Sequence, residues 1–265
     1  MDYPKIMICI AVKNSAKYLK RFLKEMELLR YPKEQLRWVW MYGPSVDYTL
    51  EIIKSFHKTR SYKYNIYEEP PFTNKTGSSL WLADIVNAFK DLIMEDEEYV
   101  LFPDVDIGII PPKTLLQLLE AKKDIVAPYV WCMNTNPKQF YDTYVFRINK
   151  QRFEKGTVNG VKYDCFSPPF MNSKVPIKLD SVGTFILIKR EVFLSVDWEN
   201  PVPHYQFCKN ARKKGYTVWA LPYANIEHIN LEADEGVKEH WPIEWFVKMG
   251  LIEGNVLEKM KDDAP

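Results

Sequence analysis

Residues Lys5–Val12 (KIMICIAV) form an almost unbroken apolar run, the pattern of a parallel strand buried on both faces. Asn14 and Ser15 follow as helix N-cap candidates. Tyr18, Leu19, Phe22, Leu23, Met26 and Leu29 then recur at helical spacing until Tyr31-Pro32 breaks the pattern. Leu36–Tyr42 predicts a second strand, the Gly43-Pro44-Ser45 turn leads to a helix over Tyr48–His57, and Lys63–Glu68 is a third strand candidate. The polar stretch Thr73–Ser79 predicts a loop, and Leu82, Ile85, Val86, Phe89, Leu92 and Ile93 predict a helix over Leu80–Glu95. Tyr99–Phe102 then enters a strand that runs directly into Pro103-Asp104-Val105-Asp106.

Strand and helix alternate through this half, so the expected fold is α/β with a mostly parallel central sheet. The second half is less regular. A helix is predicted over Pro112–Ala121, strands over Asp124–Val130, Val182–Lys189 and Thr217–Leu221, and a helix over Tyr205–Lys214 closed by Gly215. Lys150–Val175 reads as a long loop of the kind that forms lids or binding surfaces, and Trp241–Met249 as a last short helix. With no repeat or low-complexity stretch, the 265 residues read as a single domain.

Composition narrows the partners. Lys+Arg (36) and Asp+Glu (35) nearly cancel, so no basic excess points to a nucleic-acid backbone. Cys9, Cys132, Cys165 and Cys208 form neither a CxxC pair nor a zinc knuckle. No apolar run approaches the ~20 residues that span a bilayer. The chain enters a strand soon after Met1 without a leader pattern, and together these features predict a cytoplasmic protein with free thiols. Trp241, Trp245, Phe246 and Met249 leave open a peripheral membrane contact, although packing on the core is the commoner fate of such residues. An aromatic content of 14% is compatible with flat walls for sugar rings.

The candidate chemistry centres on Asp104-Val105-Asp106. In an extended segment both carboxylates project to one side, and a hard divalent cation such as Mn²⁺ or Mg²⁺ relieves their repulsion while keeping positions open for phosphate oxygens. Paired turn aspartates are common without any ion, but here the pair ends a buried strand of an α/β unit, where ligands of such sheets bind. His228, between Ile226 and Ile229, reads either as a hydrogen-bonded strand-end histidine or as a nitrogen ligand that favours Mn²⁺. Asp180, ahead of Gly183, reads either as a turn cap or as an acceptor for sugar hydroxyls.

These residues carry a resemblance. The opening segment looks like the first strand and helix of GT-A (Rossmann-like) glycosyltransferases. YVLFPDVDIGIIPPKTLLQLLEAKKDIVAPYVW, the pair Tyr141-Asp142, LDSVGTFILIKREVF and ARKKGYTVWALPYANIEHI resemble, in order, the fungal mannan polymerase subunit family of α-mannosyltransferases. The resemblance implies a nucleotide-sugar-binding half (1–110) and an acceptor-binding half (111–265). It implies that Asp104 and Asp106 hold metal and donor, that His228 is a further ligand, and that a hexose passes with retention from a nucleotide-sugar, GDP-mannose first and a UDP-sugar otherwise. The acceptor is a glycan or a lipid-linked sugar, and assembly with further chains is typical of that family. Where the family's donor-contacting helix carries arginines, this chain offers Trp81, Asp84, Asn87 and Lys90. Inverting GT-A enzymes place a carboxylate base where this chain reads Pro203-His204-Tyr205-Gln206. His204 is the candidate base there, and the missing carboxylate favours retention. Two other classes compete. One is a non-catalytic carbohydrate-binding or scaffold subunit. The other is a nucleotidyltransferase, disfavoured because Val12-Lys13-Asn14-Ser15 lacks the glycines of a phosphate loop.

Overall fold

A computed structural model of the chain describes residues 3–69, 82–136, 138–143, 145–149, 151–152, 157–158, 161–162, 170–200 and 202–229. Strands β1 (Lys5–Val12), β2 (Leu36–Tyr42) and β3 (Lys63–Glu68) pair in parallel, with α1 (Ala16–Glu27) and α2 (Thr49–Lys58) as crossovers. Helix α3 (Leu82–Ala88), continued by a 3-10 turn over Phe89–Leu92, leads into β4 (Glu97–Pro103), which lies parallel to β1 on its other side. The chain thus steps outward from β1 in one direction and then returns to begin in the other. That reversal leaves a crevice at the C-terminal ends of β1 and β4.

The remaining elements follow as β5 (Ile107–Ile109), α4 (Thr114–Glu120), β6 (Ile125–Cys132), β7 (Arg147–Ile148), β8 (Gln151–Arg152), β9 (Thr157–Val158), β10 (Val161–Lys162), β11 (Ile177–Leu179), β12 (Phe185–Lys189), α5 (Arg190–Ser195), α6 (Pro203–Lys213) and β13 (Val218–His228). The main sheet runs β11-β13-β6-β12-β4-β1-β2-β3, with β5 paired to β13. β12 is antiparallel to both β4 and β6, whereas β13 is parallel to β6. Six of these strands therefore point the same way, as the alternating pattern predicts. β12, from the second half, lies between β4 and β6, so both halves share one sheet.

Local sequence explains most boundaries. β1 and β2 are buried along nearly their whole length, and Trp38 and Trp40 of β2 are sealed from solvent. α1 lays Leu19, Phe22, Leu23 and Met26 on the sheet. Ser15 occupies the N-cap of α1, but its hydroxyl donates to Lys13 O. The cap comes instead from the loop after β2, where Asp47 Oδ2 accepts the Ala16 N–H at 3.0 Å.

Several expectations need revision. The last strand extends well beyond Leu221 to His228, because Asn225–His228 continue pairing with β6 after a register shift. β12 starts only at Phe185, since Thr184 has φ 64° and interrupts the extended run. Helix α5 and strands β5 and β11 have too few residues to leave a period in the sequence. Within Lys150–Val175 the described pieces include β9 and β10, which pair antiparallel. The Thr73–Ser79 loop and the Trp241–Met249 helix lie outside the described residues.

At the end of the sheet opposite the crevice, Arg37 and Glu97 form a two-pronged ion pair, each bond 2.7 Å long, with side chains 6% and 3% exposed. Glu97 also accepts the Met94 N–H. Removing one partner strands the other charge away from water. Glu97→Ala is expected to lower stability by about 3–5 kcal/mol in urea denaturation, while a double change of Arg37→Met with Glu97→Leu loses much less.

Candidate metal centre

The crevice is built from four chain segments. β4 delivers Asp104 and Asp106, β13 delivers His228 at its last residue, the turn after β6 delivers Tyr141 and Asp142, and the entry to β12 delivers Gly183 and Thr184. They meet because β4, β6 and β13 end at the same edge, while the antiparallel β12 begins there. Asp104, Asp106 and His228 each offer a ligand atom, and these atoms lie within 4.8 Å of one another.

The geometry defines each group's role. His228 is 3% exposed, and its Nε2 lies 2.9 Å from Asp106 Oδ1. Its Nδ1 lies 2.8 Å from Ile229 O, a carbonyl that can only accept. Nδ1 therefore carries a proton, which turns Nε2 toward the carboxylates as the ligating nitrogen. Burial alone would lower the His228 pKa, but Asp106 and Asp104 outweigh it and raise it above 6.5. Without an ion this shift favours the protonated ring paired with Asp106. Tyr141 stacks flat on this ring, centroids 3.6 Å apart.

Asp104 is held by its main-chain N–H, which donates to Thr184 O at 2.8 Å. Its carboxyl is raised well above the usual range by burial and by Asp106. Asp142, 5% exposed, accepts from Thr184 Oγ1 (3.0 Å) and Val145 N (3.2 Å). Burial pushes its pKa up to about 6. A side chain at Gly183 would put a Cβ 2.5 Å from Asp142 Oδ2, so glycine is what allows this carboxyl to approach. On the far side, Ile229 N donates to Asp106 O and Arg21 Nε to Gly108 O, pinning the turn between β4 and β5.

Other residues singled out in the sequence lie elsewhere or have other partners. Asp180 follows β11, whose Leu179 pairs with Val218 at the start of β13, the opposite end of that strand from His228. Its carboxylate pairs with Arg212 at 3.0 Å. Asn87 bridges both main-chain polar groups of Trp198. Lys90 pairs with Asp197 at 2.5 Å. His204, in the first turn of α6, packs against Phe102 and Trp198, and burial pushes its pKa down to about 4. No acidic residue accompanies it in that turn. Trp81 lies outside the described residues. Thr184 is the site residue that sequence reasoning missed, whereas Gly183 reads from the sequence as a point of close approach and is one. The signal was present as a glycine followed by a β-branched residue at a strand entry.

The donor set, two carboxylates and one imidazole nitrogen with its second nitrogen tied to a carbonyl, fits Mn²⁺ and accommodates Mg²⁺ less well. An ion must displace the His228 Nε2 proton. Affinity for Mn²⁺ is therefore expected to fall as pH is lowered through the raised His228 pKa, above 6.5, with proton release on binding near neutrality. The raised pKa also stabilises the ion-free fold fully below 6.5, a contribution lost as pH rises through the folded value. Calorimetric titration in buffers of different ionisation enthalpy measures the affinity and the proton release, and affinity independent of pH between about 6 and 8 would exclude Nε2 as a ligand.

Comparison with known proteins follows the same lines. The chain is 29% identical over 203 residues to procollagen galactosyltransferase 2 of Homo sapiens, covering 68% of this chain and 31% of that protein. It is 23% identical over 290 residues to the mannan polymerase II complex anp1 subunit of Schizosaccharomyces pombe, covering 87% of this chain and 65% of that one. The resemblance to mannan polymerase subunits is thus found, beside a second group that the sequence motifs had not suggested. The chain spans less than two thirds of the length of either relative. Among solved structures the fold is similar to mannosyltransferase PcManGT from Pyrobaculum calidifontis in complex with GDP-Man and Mn²⁺ (TM-score 0.58, 15% identity, covering 100% of this chain and 66% of that one). It is similar also to GalNAc-T7 with UDP, GalNAc and Mn²⁺ (TM-score 0.58, 11% identity, covering 86% and 44%). At such identities the likeness establishes the fold, and that fold is the GT-A architecture. The family model "Glycosyltransferase family 25, N-terminal domain" matches residues 3–187, well over half of the chain, and the chain belongs to that family.

Proposed function

We propose that this chain is a metal-dependent glycosyltransferase that takes a hexose from a nucleoside-diphosphate sugar. The observation that carries the reading is the convergence of Asp104, Asp106 and the oriented Nε2 of His228 at the crevice formed by the strand ends. These three residues would hold Mn²⁺, or less readily Mg²⁺. A bound divalent ion supplies charge neutralisation for a departing diphosphate.

The chain's own residues prepare that corner. Ile229 O orients the His228 ring, and Tyr141 covers one of its faces and limits access of water to it. Thr184 and Asp142 hold Asp104 from behind. On the neighbouring rim, the loops after β1 and β2 are fastened together, since Asn14 N donates to Ser45 Oγ and Val46 N to Asn14 Oδ1. A fastened rim offers a preformed wall for a ligand.

Donor and stereochemistry are part of the proposal. GDP-mannose is the first donor, supported by the mannan polymerase relative and by the mannosyltransferase neighbour with GDP-Man. A galactose donor is its direct rival, given the galactosyltransferase relative. Retention is supported by α6, where a buried neutral His204 stands without a carboxylate. A glycan or lipid-linked sugar is the acceptor.

Incubating the full chain with GDP-mannose, UDP-galactose and UDP-glucose, with and without Mn²⁺, and measuring released nucleoside diphosphate tests this reading. Release is expected with one donor only when the metal is present, to stop on chelation, and to fall by about a hundredfold in Asp106→Asn and His228→Ala. Metal-dependent release that is unchanged in both variants sinks the site assignment. A scaffold subunit would release nothing from any donor.

A further inference from the structure

Among the described residues, Asn14, Lys122, Asn134, Asn149, Phe170 and Thr184 are the non-glycine residues with positive φ. Thr184 alone of these is β-branched, with φ 64° and 4% exposure. For such a side chain this region is a genuine outlier, because Cβ crowds the neighbouring carbonyl. The Phe185 N–H closes on Gly183 O at 2.7 Å, forming a three-residue γ-turn centred on Thr184. With positive φ this is the rare, strained form of that turn. Glycine would adopt it freely, so threonine must contribute something that glycine lacks.

Its contacts identify the contribution. The turn aims Thr184 O at the Asp104 N–H (2.8 Å) and the hydroxyl at Asp142 Oδ2 (3.0 Å). A hydroxyl has one proton to donate, and here it goes to Asp142. Thr184 is therefore the junction between the Asp104 main chain and the buried Asp142 carboxyl. Strain of this kind persists where the surroundings enforce it, and it clusters at functional sites.

We propose that Thr184 is a positioning residue of the metal centre: its strained turn anchors the Asp104 main chain, and its hydroxyl fixes the Asp142 carboxyl beside Asp104. The inference rests on the metal-centre reading above and deepens it, adding a residue that touches neither ion nor substrate.

Three substitutions separate the hydroxyl from the backbone. Thr184→Val keeps the shape and removes the hydroxyl, Thr184→Ser keeps the hydroxyl, and Thr184→Gly relieves the turn while removing the hydroxyl. Mn²⁺ affinity by calorimetry and the melting temperature of the metal-free chain are the readouts. Thr184→Val and Thr184→Gly are expected to bind Mn²⁺ about tenfold more weakly, and Thr184→Ser within about twofold of the parent. The metal-free Thr184→Gly chain is expected to melt within about 4 °C of the parent, because relief of the turn offsets the lost hydrogen bond. A residue serving the fold alone would move melting temperature and leave affinity in place. Parent-like affinity in Thr184→Gly, or equal loss in Thr184→Ser, overturns the inference while the metal centre stands. A parent chain that takes up no Mn²⁺ overturns the metal centre and this inference with it.

Discussion

Asp104, Asp106 and Asp142 crowd one corner of the sheet, the first two half-buried and the third buried, and carboxylates so gathered repel each other. The corner is tolerable because protons or cations absorb that repulsion. The carboxylates raise the His228 pKa and so favour a positive charge bonded to Asp106, and burial pushes the Asp142 pKa up to about 6. Much of the surrounding structure keeps these groups at fixed distances. Gly183 leaves room for Asp142, Thr184 joins it to Asp104, and the Ile229 carbonyl fixes the imidazole ring. A divalent ion fits this arrangement because it would supply the charge the corner lacks.

The sheet supplies the rigidity. β4, β6 and β13 share direction and end at one edge, so residues far apart in sequence arrive there without long loops. Buried strands move little, which suits a site that must meet a diphosphate with small tolerance. At the other end of the sheet, Arg37 and Glu97 satisfy each other and tie β2 to β4. The glycosyltransferase family 25 match ends at residue 187, inside β12 and before His228. The third member of the proposed ligand set is therefore contributed by a strand beyond the matched span.

How much was legible depended on whether the signal was local. β1 and β2 were readable to the residue, since continuous apolar runs bounded by turns admit few alternatives, and the exposed edge strand β3 was readable from its aromatic and β-branched residues. Asp104 and Asp106 were readable because an acidic pair follows directly on a buried strand, although Asp106 sits in the turn after β4 rather than in an extended segment. Asp180, Asn87, Lys90 and His204 illustrate the opposite case. Each is a polar residue beside a recognisable motif, yet each has partners among residues between 32 and 111 positions away or packs in an aromatic pocket. A polar residue's role is decided by its partner, and sequence spacing does not name partners across a sheet.

The sequence by itself determined the α/β order, the buried strands and the acidic pair at the end of β4, because these follow from short-range periodicity and side-chain polarity. Only the tertiary structure decided how the His228 ring is oriented toward that pair, which carboxyl stands behind it, and that a threonine is bent into a left-handed turn to link them. Those outcomes depend on strand order and register, which bring together groups over a hundred residues apart through burial and hydrogen bonding and leave no local trace along the chain.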